Sequence, residues 1–438
     1  MSEQLKLPLN LEATEVFTPN SSPRYTYVQR PELQLEKILA DSLAIKNVAV
    51  SISGPSKSGK TVLTKKVLNP DYLIKVNGAS IRTAEDVWNQ VLRWMDVPSS
   101  VTTGKQSSLS IGAKANAKGS LGIPLVTKGE VGGEGNINRS SGNSDSSTTE
   151  IHGLEAVIRE ISDSDFVVFI DDFHYIDRDV QREVGRQIKA AIENGVTVCT
   201  ASVPHSNDDV VRANPELRGR LAAIDIGYWS EGDLELIAKS GFPALNIEIA
   251  KSVIKRLARE SLGSPQIMQS LCLNLCFVVG VGERLKELTR IDVNSEHIKE
   301  IFKRTSTLSD WSSLVSEIHS GPRQRGTERK IFDFIDKTKG DVYRAILLSL
   351  IQDPARLSLR YDEILTRVRA VCVDEVPVGS SINAALEQIA KLSQDINDGN
   401  PIIEWDEDVL DIVEPYLLFY MRGSGKIPRL GTTVSQAG

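Results

Sequence analysis

"NVAVSISGPSKSGKTVLTKKVL", residues 47–68, carries three signals in a row. Residues 47–54 are a short β-branched run that enters a Gly-rich turn, and residues 60–68 read as a helix. The turn, "GPSKSGKT" from Gly54 to Thr61, fits G-x-x-x-x-G-K-[ST] between that predicted strand and that predicted helix. Backbone N–H groups of such a loop, together with the helix N-terminus, cradle phosphates. Lys60 would reach the β- and γ-phosphates, and the Thr61 hydroxyl would hold Mg²⁺. An ordinary Gly-Ser-Lys turn would not require this flanking order. Gly54, Pro55, Ser56, Lys57, Ser58, Gly59, Lys60, Thr61 and Val62 are therefore the candidate nucleotide-binding set.

A second stretch completes the chemistry. "VVFIDDFHYID", residues 167–177, runs apolar and then presents Asp171 and Asp172. An ionised carboxylate at the end of a buried strand is costly unless something compensates it. A Mg²⁺ ion on Thr61 and the phosphates would do so, which makes Thr61 and Asp171 the candidate metal ligands. Asp172 lies closer to an attacking water, although a solvated turn acid would look the same in sequence. Aspartate is one methylene shorter than glutamate, so hydrolysis is expected to be slow.

Outward from these motifs the chain alternates strand and helix. "DYLIKVNG" reads as a second strand, "SIRTAEDVWNQVLRWM" as a helix, and "GVTVCTA" as a strand after a helix near 178–193. Before the loop, Leu33, Leu35, Ile38 and Leu39 predict an amphipathic helix over 31–44. Such alternation means a parallel α/β sheet. Residues 1–25 are polar and Pro-spotted, and are expected to be a flexible arm. Residues 230–306 read as helical throughout behind a Ser-Glu-Gly-Asp cap. "HSGPRQRGTERK" reads as a linker. Beyond it come three short helices and "PIIEWDEDVLDIVEPYLLFY", which alternates like a hairpin, an order that matches a winged helix. The expected fold is thus α/β: a P-loop parallel-sheet ATPase core (26–229), an all-α lid (230–306), a C-terminal winged-helix-like domain (320–425) and a tail (426–438).

The pair "GPSKSGKT" and "VVFIDDFHYID" resembles the AAA+-related P-loop ATPases, especially their STAND switch branch. The resemblance covers roughly 27–305 and implies ATP and Mg²⁺ as ligands and ATP hydrolysis as the reaction. "YVQRPELQLEKIL" resembles the box that opens these domains, which implies Arg30 near the adenine end. "TVCTASVPH" falls where the first sensor belongs, so Thr200 or Ser202 would feel the γ-phosphate. "ELRGRLAAIDIGYWSEGDLELI" resembles the stretch that carries an arginine finger, with Arg220 the first candidate and Arg218 the second. Either could equally be a surface arginine. "LGSPQIMQSL" resembles the Gly-x-Pro motif of the STAND lid, which implies Gly263 and Pro265 near the nucleotide. The lid offers no second-sensor arginine, which favours a switch over a motor. His174 is read as a local polar contact and His205 as a loop residue.

Bulk properties narrow the partners. The 438 residues are 40% hydrophobic and 25% charged, enough to fill several cores. A net charge of −7 argues against a chain-wide nucleic-acid coat. From residue 320 onward there are 15 Lys and Arg against 18 Asp and Glu, a net of −3. The expected reading helix, "SINAALEQIAKLS", has one base, Lys391, and the expected wing is acidic, a poor footprint for DNA. DNA association, as in origin initiators or transposition regulators, stands as the alternative function. Cys199, Cys272, Cys276 and Cys372 sit in apolar segments and read as reduced core cysteines. No signal peptide and no spanning run is visible, so a cytoplasmic protein is expected.

One segment breaks the pattern. Residues 101–150 are rich in Gly, Ser and Asn, yet apolar residues alternate from Leu109 to Leu125. This predicts a β-hairpin-like insertion, either a plain surface hairpin or an interaction arm. The expectation overall is an ATP-dependent switch that forms a homo-oligomer when ATP-bound. A separate effector protein would supply the output, on analogy with multi-component defence or signalling systems.

Overall fold

The computed structural model describes residues 8–97, 100–102, 148–150, 153–203, 214–322, 329–396, 402–430 and 432–433. Its centre is a parallel sheet of five strands: β1 (Ala49–Ser53), β2 (Leu73–Asn77), β3 (Val167–Asp171), β4 (Thr197–Ser202) and β5 (Leu221–Asp225). Their order is β2-β3-β4-β1-β5, every neighbour parallel. The period-two rule sorts their side chains between two cores. In β3, Val168 and Ile170 pack with Ile74, Val76 and Trp88 on one face. Val167 and Phe169 join Val50, Ile52 and Leu63 on the other. The inner strands β1, β3 and β4 are covered on both faces, and of these β3 reads as a near-continuous apolar run, as parallel strands do. β4 lies between β1 and β3, so the Gly-rich loop and the paired acids leave the same edge of the sheet from non-adjacent strands.

The helix before β1 is Leu35–Leu43, and only part of the expected face is used: Leu35 and Leu39 are buried, whereas Leu33 and Ile38 are exposed. The lid contains the helices Glu231–Ala244, Lys251–Glu260, Pro265–Val278 and Ser295–Ser306. The first is closed by a capping box in which Ser230 and Asp233 exchange hydrogen bonds. Two short strands, Ile247–Ile249 and Thr289–Ile291, pair in parallel within the lid, an addition that its helical periodicity does not reveal.

The C-terminal part follows the expected order, with helices Val342–Leu350, Tyr361–Val371 and Gly379–Ile396 and the hairpin Ile403–Asp406/Val409–Ile412. A third strand, Ser358–Arg360, pairs with the hairpin. One expectation fails: "PYLLFY" does not continue the hairpin but starts a helix, Pro415–Gly423. Pro415 sits at the first turn, and the Glu414 carboxylate accepts from Tyr416 N. Both are helix-start signals, and Pro is disfavoured inside a ladder.

The N-terminal arm is also corrected for residues 8–25. Leu11, Ala13, Val16 and Phe17 are fully buried against the lid. The Phe17 ring meets Phe242 edge-on at 5.2 Å. It lies so close to Gly241 that an added Cβ would come within 2.3 Å of it. These residues, the lid and the C-terminal helices form one continuous apolar core, separate from the two that flank the sheet. Lid and C-terminal part are further tied by Arg422 to Glu260 at 3.1 Å and by Tyr416 to Ser270 at 3.0 Å.

The insertion enters and leaves through an antiparallel pair, Ser100–Thr102 with Thr148–Glu150; the hairpin expected within it lies outside the described residues, as does His205. The four cysteines are buried and free. No helix among the described residues is long and apolar enough to cross a membrane. Because Phe17 fills a closed space, Phe17→Ala is expected to destabilise the chain by about 3 kcal/mol, read as a lower denaturant midpoint.

Candidate functional site

The loop after β1 is shaped by two left-handed residues, Lys57 at φ 62° and Gly59 at φ 101°. Gly59 is the position at which a side chain would strain the turn into the helix Lys60–Val67. Lys60 is buried, and its ammonium arches back to donate to the carbonyls of Gly54 at 2.8 Å and Pro55 at 2.9 Å. Burial pushes its pKa down to about 8, against the opposing pull of Asp171 and Asp172.

Across the sheet edge, the Thr61 hydroxyl donates to Asp171 Oδ2 at 2.8 Å. The same oxygen is 2.9 Å from Lys75 Nζ, which reaches over from β2. Asp171 is buried, so these two partners supply the compensation its charge requires. Asp172 turns the chain in the left-handed region, at φ 57°. Its carbonyl presses on Gly78, where an added Cβ would lie 2.4 Å away. Burial, and then the neighbouring Asp171, raise the Asp172 pKa. His174 has its ring centroid 4.1 Å from that of Tyr175, and burial lowers its pKa to about 4, so it is neutral near pH 7. Its Nδ1 has no hydrogen-bond partner among the described residues.

These groups face one cavity of about 570 Å³. Its floor is the loop from Ser56 to Leu63 with Asp171 and Asp172. Gly54 and Pro55 do not line it; they supply the carbonyls beneath Lys60. Most of the segment 18–28 lines the cavity as a strap held by Gln269 of the lid. Gln269 accepts from Thr18 N at 3.1 Å and donates to Thr26 Oγ1 at 2.7 Å. Pro265 lines the lid side, and Gly263, at φ 73°, makes the turn that precedes it. Arg30 is buried in the wall with its guanidinium 4.6 Å over the Trp229 ring, and burial lowers its pKa. Trp229 in turn donates to Ser58 O at 2.9 Å.

Other candidates fall elsewhere. Thr200 and Ser202 are buried in β4 beside Ser51 and Ser53 of β1, behind the cavity wall. Their hydroxyls have no partner among the described residues. Arg220 precedes β5, and its carbonyl accepts from Ala49 N, the first residue of β1. It therefore sits at the opposite end of the sheet, roughly 13–17 Å of strand from the loop, and it pairs with Glu193. Arg218 is exposed on the same side. Neither reaches the cavity of its own chain.

Among the cavity residues that escaped the sequence reading are Lys75, Trp229, Gln269 and Glu414. Glu414 comes from the C-terminal part and accepts from Ser56 Oγ at 3.1 Å. Only Trp229 carried a sequence signal, since it directly precedes the lid's capping box.

The residues fit a metal-bound triphosphate. The Ser58 hydroxyl is buried without a partner among the described residues, on a loop ending at a helix N-terminus. One hydroxyl and one carboxylate, Thr61 and Asp171, stand together, which suits Mg²⁺ because it keeps waters and phosphate oxygens as its other ligands.

No family model and no curated protein matches the sequence. Solved structures similar to it include a Walker-type ATPase of Pyrococcus abyssi, at 14% identity and TM-score 0.48, covering 92% of this chain and 98% of that one. The ORC2 protein of Aeropyrum pernix, solved as ADPNP-ADP complexes, gives 13% identity, TM-score 0.45 and coverage of 96% and 98%. Cdc6p from Pyrobaculum aerophilum gives 13% identity, TM-score 0.39 and coverage of 96% and 99%.

A phosphate against Lys60 would restore the proton that burial disfavours. Nucleotide binding is therefore expected to take up protons at pH 8–9, and affinity to fall as pH rises above about 8. Calorimetry in buffers of different ionisation enthalpy reads the uptake, which Lys60→Met should remove.

Proposed function

We propose that this chain is a cytoplasmic ATP-binding switch that hydrolyses ATP slowly and whose nucleotide state sets oligomerisation and engagement of a separate effector protein. The observation that carries this reading is the convergence of Lys60, Thr61, Asp171 and Asp172 on one cavity roofed by strap, lid and C-terminal part. It agrees with the STAND-like resemblance of the two motifs.

In this reading Lys60 turns from the loop carbonyls to the β- and γ-phosphates, with the loop N–H groups beside it. Thr61 and Asp171 hold Mg²⁺, which when bound would neutralise charge on the transferring phosphoryl group. Asp172, with its raised pKa, orients and deprotonates the attacking water. Neutral His174 supplies a hydrogen bond near that acid rather than a charge. Arg30 and Trp229 would enclose the adenine end, next to Pro265.

Two features favour holding ATP over fast turnover. The lid residues on the cavity are Ile237, Pro265, Gln266 and Gln269, with no cation among those described. The arginine-finger role falls to Arg220, with Arg218 second, and only across a subunit boundary, because both lie far from their own cavity. A finger is worth roughly 10³–10⁵ in rate, so turnover would await assembly. Thr200 and Ser202 would respond to the γ-phosphate through the shared β1–β4 edge, where Ser202 O accepts from Gly54 N at 3.3 Å.

DNA association is the second reading, favoured by the helix–strand–helix–helix–hairpin order of residues 342–412. Its mark would be ATP-stimulated DNA binding that weakens steeply with salt.

Lys60→Ala is expected to weaken ATP binding at least about a hundredfold, the scale of two charge-assisted hydrogen bonds; near wild-type affinity contradicts the assignment. Arg220→Ala should keep ATP affinity while losing ATP-stimulated turnover of the assembled form. Mass photometry with and without ATP reads the assembly, and a chain that stays monomeric in both conditions removes the oligomer from the proposal.

A further inference from the structure

Lys75 belongs to neither motif, yet it binds the atom on which both converge. β2 buries Leu73, Ile74 and Val76, and Lys75 faces the cavity with its side chain half exposed. Its ammonium is 2.9 Å from Asp171 Oδ2, which also accepts from Thr61 at 2.8 Å. The other oxygen, Oδ1, accepts from Asp172 N at 3.2 Å.

A single carboxylate can satisfy one close cation well, but two repel each other across it. A divalent ion on either oxygen of Asp171 would stand within a few ångströms of the ammonium, where like charges disfavour each other strongly. The lysine is long, flexible and open to the cavity, so it can yield without moving the backbone. Lys60, by contrast, is held by the carbonyls of Gly54 and Pro55 and not by Asp171.

We propose that Lys75 is a tethered cation that competes with Mg²⁺ for Asp171 and swings aside when the metal binds. The inference rests on the nucleotide reading of the site and adds a metal-exchange step to it. Lys75 keeps Asp171 compensated when no metal is bound and lends a positive charge to metal-free nucleotide. It thereby sets how strongly binding depends on Mg²⁺. It acts as a positioning residue through Asp171.

The test is ATP binding to the full chain, measured by calorimetry in excess Mg²⁺ and in EDTA, without any readout of turnover. In Lys75→Met the ratio of the EDTA to the Mg²⁺ dissociation constant should rise roughly tenfold over wild type, the scale of one charge-assisted hydrogen bond. The weakening should fall on the metal-free side. The Mg²⁺ concentration for half-maximal binding should drop by a similar factor, and Lys75→Arg, which keeps the charge, should retain the wild-type ratio. Circular dichroism verifies folding, and Lys75→Gln carries the same comparison if the methionine variant fails to fold. Binding with an unchanged ratio in these variants makes Lys75 a simple ion pair and overturns this inference alone. Absence of wild-type binding in both buffers overturns the nucleotide reading, and this inference with it.

Discussion

A buried carboxylate must be met by positive or hydrogen-bonding groups, and in this chain that requirement on Asp171 organises the site. Thr61 comes from the helix after β1 and Asp171 from the end of β3, strands that β4 separates. Their hydrogen bond therefore bridges the sheet edge, and it holds only while β4 keeps its register with both neighbours. The loop, the acids and the sheet order are one constraint seen from three sides.

Much of this was legible because the signals are local. A Gly-rich loop between a strand and a helix needs only a few consecutive residues, and the site residues Ser56–Val62, Asp171 and Asp172 were named that way. The lid's first helix announces itself through Ser230 and Asp233, and the C-terminal helices through their periodicity. The misreadings arose where tertiary partners decide. Leu11 to Phe17 are too short a run to declare burial; the lid residues that cover them, Gly241, Phe242 and the backbone of 282–284 among them, lie more than two hundred residues on. Tyr416 to Met421 are apolar at every position, which cannot distinguish strand from helix; Pro415 was the deciding residue.

Likewise, the chain could suggest an arginine beside the last core strand, but not which end of the sheet it occupies. The pairing of Ala49 with Arg220 puts it opposite the loop. Lys75, Gln269 and Glu414 have no local pattern, because each is brought to the cavity by an element whose sequence is explained by packing alone.

The arrangement of cores carries a mechanical corollary. The strap, the lid and the C-terminal helices share one apolar interior, whereas the sheet has its own on either face. The chain passes between these two bodies twice in the neighbourhood of the cavity, between Val28 and Leu35 and between Ile226 and Leu234. Trp229 lies on the second crossing and donates to Ser58 O, so the link between the two interiors is bonded directly to the Gly-rich loop.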